Sequence, residues 1–382
     1  MIYFDNSATT APYPEVIETM REVLERFFAN PSSLHTLGAQ AEQALAQSRQ
    51  LAADLLGVQT AEIVFTSGAT ESNNMALKGA AFAYRSRGNH IITSAIEHPA
   101  VFDVCKQLES CGFEVTALPV DDKGMVSVEQ LKSAIKEETI LVSIMHVNNE
   151  VGSIQPIQEI GQLLKSYPKI LFHVDAAQSF GKLKVDPKSF GIDLLSLSAH
   201  KFHGPKGTGL LYVRRGVDLI PLLAGGGQEN GRRAGTENVA GIVGMVKAMR
   251  ITLDRYQENP NHLQLLREKL WDGVEQIAGC VINSPRKGAP HILNFSTPGL
   301  KSEVLLRSLD EKGARVSSKS ACSSKLEQPS RVLLAMGFSE ERAKSALRVS
   351  CSDQNTEAEV EQFINLLNEA VTELQSMLKV RR

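Results

Sequence analysis

Seven short apolar runs, each closed by small or polar residues, recur through the first two thirds of the chain. They are Glu62 to Thr66, His90 to Ser94, Phe113 to Pro119, Ile140 to His146, Ile170 to Asp175, Asp193 to Leu197 and Gly209 to Val213. Several are apolar throughout rather than alternating, as expected of strands buried on both faces of a parallel sheet. Between them lie stretches with helical patterning, such as Thr36 to Leu56, Ser72 to Arg87, Ser127 to Glu137 and Pro156 to Ser166. That alternation predicts an α/β fold in which a mostly parallel seven-stranded sheet is covered by helices. A long helix is expected over Glu237 to Gln257, followed by a break at QENPNH, where asparagines and a proline end the pattern. Beyond it the strands shorten, to His291 to Phe295, Ala314 to Ser317 and Leu347 to Ser350. Helices over Ser302 to Lys312 and Thr356 to Leu378 complete a smaller α/β unit.

Composition narrows the class. With 382 residues, 42% of them hydrophobic, the chain can bury a large core but is too long for one compact domain. Its 41 basic and 43 acidic residues nearly balance, so no field steers it onto nucleic acid or anionic lipid. No apolar run approaches the roughly 20 residues of a membrane span, and MIYFDNSATT lacks a charged-then-apolar signal region. A cytoplasmic protein is expected. Five cysteines, Cys105, Cys111, Cys280, Cys322 and Cys351, are irregularly spaced without a CxxC pair, which argues against a disulfide framework or a metal ribbon.

The candidate chemistry concentrates between His173 and Gly209. There an acid (Asp175), an amide (Gln178), a hydroxyl (Ser198), an imidazole (His200) and a lysine (Lys201) stand at the polar ends of two strand candidates. Residues at strand carboxyl ends face the ligand crevice of an α/β sheet. A pyridoxal phosphate site needs a lysine to form a Schiff base and an acid to keep the pyridine nitrogen protonated. Lys201 and Asp175 fit those needs, Ser198 and His200 could hold the phosphate, and Gln178 could reach the ring hydroxyl. Taken singly, Asp175 is equally a strand-end cap and Lys201 a solvated loop lysine; together they form a constellation.

A second element of such a site is the turn SGATES. A strand ends near Phe65, small residues follow, and a helix begins, so backbone N–H groups at the helix start face an anion. Ala69 and Thr70 are therefore phosphate-binding candidates. The turn lacks GxGxxG spacing, which counts against a dinucleotide site. Cys322 lies in a stretch from Ser317 to Pro329 rich in serine and lysine and without apolar periodicity, which reads as an exposed loop. Lys319 and Lys325 flank it and would favour the thiolate, the nucleophilic form. Cys105, Cys280 and Cys351 read as core-packed and Cys111 as inert.

An ordered series of motifs resembles one family. FDNSATTAP, TSGATESNN, EHPA, NNEVGSIQP, SAHKFHGPKG, RRAGTEN, SSKSACSS and LRVS run from Phe4 to Ser350. The chain is thereby similar to pyridoxal phosphate enzymes of the aminotransferase class V group, and specifically to cysteine desulfurases of the NifS and IscS type. The resemblance implies a fold-type I homodimer with its active site between two domains. Residues 15–257 would form the large domain, and residues 1–14 with 258–382 the small one. It further implies that His98 stacks on the cofactor ring and relays protons, and that Asn148 lies near the ring hydroxyl and the substrate carboxylate. Arg348 would clamp that carboxylate, and Thr236 would reach the phosphate of the partner subunit. L-Cysteine would yield L-alanine and a persulfide on Cys322, with the sulfur passing to an acceptor protein for iron–sulfur cluster assembly, tRNA thiolation or thiamin synthesis. An aminotransferase or a selenocysteine lyase on the same scaffold would share the cofactor residues. Lys319 departs from the family pattern, which has glycine there, and bears on how the loop bends.

Overall fold

The structure is a computed structural model and describes residues 1–318 and 329–380. The chain opens with β1 (Ile2–Tyr3), α1 (Pro14–Arg26) and α2 (Thr36–Leu56). The alternating region comprises β2 (Ile63–Thr66), α3 (Ala69–Ala83), β3 (His90–Ser94), α4 (Pro99–Ser110), β4 (Glu114–Leu118) and α5 (Val128–Ala134). It continues through β5 (Thr139–Ser143), α6 (Ile157–Leu164), β6 (Leu171–Asp175), β7 (Leu194–Ser198) and β8 (Gly209–Val213). Two helices, α7 (Val239–Glu258) and α8 (His262–Glu275), then lead to β9 (Val281–Ile282) and β10 (Ile292–Ser296). Last come α9 (Ser302–Glu311), β11 (Ala314–Arg315), α10 (Arg331–Ala335), α11 (Glu340–Lys344), β12 (Ala346–Ser350) and α12 (Glu357–Val380).

The predicted sheet forms, in the order β2-β8-β7-β6-β5-β3-β4. All pairings are parallel except those of β8, which runs antiparallel to both β2 and β7. Strands β2, β3, β5, β6, β7 and β8 are buried along their whole length, which is why their sequences are mostly apolar and do not alternate with charged residues. Helices cover both faces. On one side α2 and α7 pack with Phe172, Leu195 and Tyr212; on the other α3 and α4 pack with Ile91, Leu141 and Leu211.

A second apolar core surrounds the three-stranded antiparallel sheet β12-β10-β9, with α8, α9 and α12 contributing Leu270, Leu305 and Phe363. The amino terminus joins it. β1 pairs with β11, Asp5 bridges Ser350, and Phe4 meets Phe363 edge-on with ring centroids 5.5 Å apart. Residues 5–13 are thereby drawn across from this core to the carboxyl end of the central sheet, where they close the site.

Several boundaries shift from the sequence-based reading. The helix expected over Ser127 to Glu137 spans only Val128–Ala134, because Ile135 turns to an extended conformation. The strand expected over Ile140 to His146 is Thr139–Ser143, although the Ile144 and His146 amides still donate to the His173 and Asp175 carbonyls of β6. The break at Asn259 to Asn261 separates two helices, and the second, α8, was not anticipated.

Candidate active site

A cavity of about 500 Å³ opens where β2, β6 and β7 end. The three strands deliver Ser67 and Gly68, Asp175, and Ser198 respectively, while residues 7–9 and Arg348 of β12 close the opposite wall. After β7 a single 3₁₀ turn, Ala199–Lys201, raises Lys201 into this space. Its Nζ donates to the carbonyl oxygens of Ser7 at 2.5 Å and Ala8 at 2.8 Å. Burial, reinforced by the positive charges of Arg348 and Lys182, pushes its amine down to about 7, against the pull of Asp5 and Asp175. A lysine so placed has a free electron pair near neutral pH, as a nucleophilic amine requires.

Asp175 ends β6 with both carboxylate oxygens engaged, Oδ2 accepting from Asn73 Nδ2 at 2.7 Å and Oδ1 from the Ala177 amide at 3.0 Å. Asn73, on α3, was missed by sequence reasoning; its place four residues past Ala69 in SGATESNN, one turn along the helix, was the available signal. Gln178 follows on the turn after β6, donating to the Ser7 carbonyl at 3.0 Å. Ala69 and Thr70 begin the fifteen-residue helix α3 and line the cavity as expected. The opening amides of a helix have no partner within it, so this end suits an anion. Gly68 precedes them at φ 151°, a conformation glycine alone adopts readily.

His98 is the N-cap of α4, its Nδ1 accepting from the Ala100 amide at 3.1 Å. The proton of the neutral ring therefore sits on Nε2. Burial lowers its pKa, with Lys201 and Arg331 adding to the effect and Asp175 opposing it. His200 is pushed to about 4 by burial and by Lys201 and Lys206. Both imidazoles are neutral at pH 7. Beside His98 the fully buried Glu97 carboxyl is raised to about 8, chiefly by burial, and accepts from Ser94 Oγ at 2.7 Å and the Met145 amide at 2.9 Å.

Arg348 is 1% exposed and is held by the Asn149 carbonyl and by Asp5, each at 2.8 Å. Asn148 requires correction. Its amide donates to the Ile96 carbonyl at 3.0 Å, and its oxygen accepts from Glu150 at 2.9 Å and Val151 at 3.0 Å, so it shapes the turn. It does not line the cavity. The adjacent Asn149 does. Thr236 lies in a separate, smaller recess with Ser67, Gly207 and Arg233. Cys322, with Lys319 and Lys325, lies outside the described residues. Of the remaining cysteines, Cys105 and Cys351 are buried and Cys280 half-buried, burial raising all three thiols, whereas Cys111 is exposed.

A family model described as aminotransferase class-V matches residues 2–363. The chain belongs to the aminotransferase class V family. This class V chain is 47% identical to "Cysteine desulfurase IscS" of Methanosarcina thermophila, over 98% of its own length and 93% of the relative's. Among solved structures it resembles a "NIFS-LIKE PROTEIN" at 40% identity and a TM-score of 0.92, covering 97% of this chain and 99% of the other. It also resembles "SspA in complex with cysteine" at 39% identity and a TM-score of 0.82, covering 93% and 100%. The fold is that of fold-type I enzymes, and the cofactor of this class V protein is pyridoxal 5′-phosphate. The cavity fits that group. Four side chains on its wall keep a buried polar atom without a partner among the described residues, Ser7 Oγ, Gln178 Oε1, His200 Nδ1 and Arg348 Nε, and the cofactor and its substrate carry the polar groups these atoms need.

Proposed function

We propose that this protein is a cysteine desulfurase that converts L-cysteine to L-alanine and collects the sulfur on Cys322. The observation that carries the reading is the convergence of Lys201, Asp175, His98 and Arg348 on one cavity beside a helix amino terminus. When bound, pyridoxal phosphate supplies an electrophilic carbon and a ring that withdraws electrons from the substrate's Cα. Lys201 would hold the cofactor covalently and, once released, take up the Cα proton at Nζ. Asp175, positioned by Asn73, would keep the ring nitrogen protonated, with His98 against the ring face. Ala69 and Thr70 would bind the phosphate through their amides, assisted by Ser198 and His200, while Gln178 and Asn149 would serve the ring hydroxyl. Arg348 would orient the substrate carboxylate, a pairing that fixes geometry as well as charge.

At the sulfur, the Cys322 thiolate attacks and the Cβ–S bond breaks. The bonding pair stays on carbon, which takes a proton to become the methyl of alanine, and Cys322 is left as a persulfide. Atoms balance without an added oxidant, and the persulfide can pass its outer sulfur to another thiolate.

The sulfur acceptor, by this reading, is a protein of iron–sulfur cluster assembly, tRNA thiolation or thiamin synthesis in the cytoplasm. The working form is a homodimer. Exposed Ile17, Leu24, Phe28, Leu34 and Leu223 support a covered apolar face, and Thr236 would reach across it to the partner's phosphate. We also read residues 15–257 as the large domain and 1–14 with 258–382 as the small one, supported by Ile2 and Phe4 sharing a core with Leu293 and Phe363. The test is direct. Purified protein should show visible cofactor absorbance and release alanine from L-cysteine, and Lys201→Ala should lose both; a variant with wild-type absorbance and turnover would overturn the cofactor assignment.

A further inference from the structure

The end of β6 and the turn after it carry Asp175 and Gln178 into the cavity, and the chain then turns away from it. The turn is made at Gly181, whose φ of +71° favours glycine and whose added Cβ would lie 2.2 Å from Thr252 Cγ2. The next residue, Lys182, is only 7% exposed. It does not line the cofactor cavity. It lines a separate one of about 220 Å³, together with His203, Arg255 and Asp353. From that side its Nζ donates to the backbone carbonyl of Lys201 at 2.8 Å. The peptide of Lys201 is thus held from behind by one ammonium while its own side chain reaches forward to the Ser7 and Ala8 carbonyls.

We propose that Lys182 is a positioning residue for Lys201: its ammonium fixes the Lys201 carbonyl from outside the cavity and sets a positive charge behind the Lys201 side chain. The inference rests on the cofactor role of Lys201. A neutral donor would satisfy the carbonyl equally well, and burying an ammonium is costly, so a charge at this point calls for a reason beyond the hydrogen bond. Two ammonium groups close together in a dry interior oppose each other's charge. Burial brings Lys182 down to about 8, with Asp353 holding it up, while Lys201 lies at about 7. Asp353 lines the rear cavity and not the cofactor cavity, so it favours the charged form of Lys182, the group that donates to the Lys201 carbonyl. The other charged or titratable groups facing this pair are Arg348, Asp5, Asp175, His98 and His200 on the cavity side, and His203, Arg255, Asp353 and His291 behind.

The test uses the holoenzyme and three substitutions, Lys182→Gln, which keeps a donor but not the charge, Lys182→Met, which keeps neither, and Lys182→Arg, which keeps both. Visible absorbance is titrated against pH, because it reports protonation of the Lys201 nitrogen bound to the cofactor. The expected result is a midpoint raised by roughly one pH unit in the Gln and Met variants, little change in Arg, and a loss in kcat at neutral pH greater than any rise in KM. Should the Met variant fail to retain cofactor, the Gln and Arg pair decides alone. A midpoint in Lys182→Gln equal to wild type overturns the proposal, including the case where only Met shifts, since the hydrogen bond would then be its whole contribution. Wild-type protein without visible absorbance would instead refute the cofactor role of Lys201.

Discussion

Replacing Gly209 with alanine tests whether the turn before α3 is the cofactor's anion cradle. Gly209 begins β8 opposite Thr66, and an added Cβ would lie 2.5 Å from Gly68 Cα, 2.7 Å from its carbonyl carbon and 2.8 Å from its nitrogen. Ordinary contact begins near 3.4 Å, so the two backbones must separate by about 0.9 Å, and neither offers a flexible side chain to absorb it. Gly68 cannot shift freely. Its carbonyl accepts from the Ser72 amide at 3.0 Å in the first turn of α3, and Thr66 Oγ1, which bonds Ser72 Oγ at 2.8 Å, lies beside it. The displacement is therefore passed to Ala69 and Thr70. Overpacking of this kind costs about 1–3 kcal/mol, which weakens cofactor affinity by roughly 5- to 150-fold if the strain falls on the bound state. Gly227→Ala is the control, because nothing lies within 4 Å of its added Cβ. Equilibrium titration of apo-protein with pyridoxal phosphate, alongside thermal melts of the apo forms, separates weakened binding from general destabilisation. Unchanged affinity in Gly209→Ala, with a melt like wild type, would refute the cradle.

Other substitutions probe the rest of the site. Asn149→Ala should impair cofactor or cysteine binding with an intact fold, whereas Asn148→Ala should lower unfolding free energy by about 1–3 kcal/mol, because the Ile96 carbonyl and the Glu150 and Val151 amides lose their partner; denaturant melts and cofactor titrations of both variants check this, and the reverse pattern would restore Asn148 to the site. Asp175→Asn should keep the cofactor yet lower kcat at least about tenfold, since a neutral amide cannot hold the ring nitrogen protonated, and steady-state alanine release measures it. Uptake of pyridoxal phosphate by apo-protein should speed up as pH rises through about 7, the value to which burial and neighbouring cations depress Lys201, because only the unprotonated amine attacks; stopped-flow absorbance at several pH values reads it, and a midpoint near 10 would contradict the depressed amine.

Much of this architecture was legible because continuous burial leaves a plain trace. Ile91 to Thr93 and Leu194 to Leu197 are apolar or small throughout because both sheet faces are covered, and each strand ends where the chemistry begins. Asp175, Ser198 and Lys201 could be read for that reason. Asn148 could not be told from Asn149, because the last bond from this segment to β6 is made by His146, and in the turn beyond it no alternation says which of two successive side chains faces the cavity. Lys182 left no sequence signal either, since its role depends on a backbone carbonyl nineteen positions away that only the packing of two turns brings near. The small-unit helix α8 was missed because its apolar face, Leu263, Leu266 and Leu270, begins just after asparagines and a proline that read as loop. The closing of the site by residues 7–9 rests on a two-residue pairing, Ile2–Tyr3 with Ala314–Arg315, and on single contacts of Phe4, Asp5 and Ser7 with Phe363 and Ser350, too short for pattern to reveal.

The central claim is that sulfur leaves cysteine for Cys322 in a site run by Lys201. Mass analysis of peptides from holoenzyme given L-cysteine without an acceptor, with alanine counted in the same sample, tests it most directly. One added sulfur is expected on the Cys322 peptide, formed together with alanine and absent in Lys201→Ala. Alanine formed with no sulfur on Cys322, or with the sulfur on the exposed Cys111 instead, would contradict it.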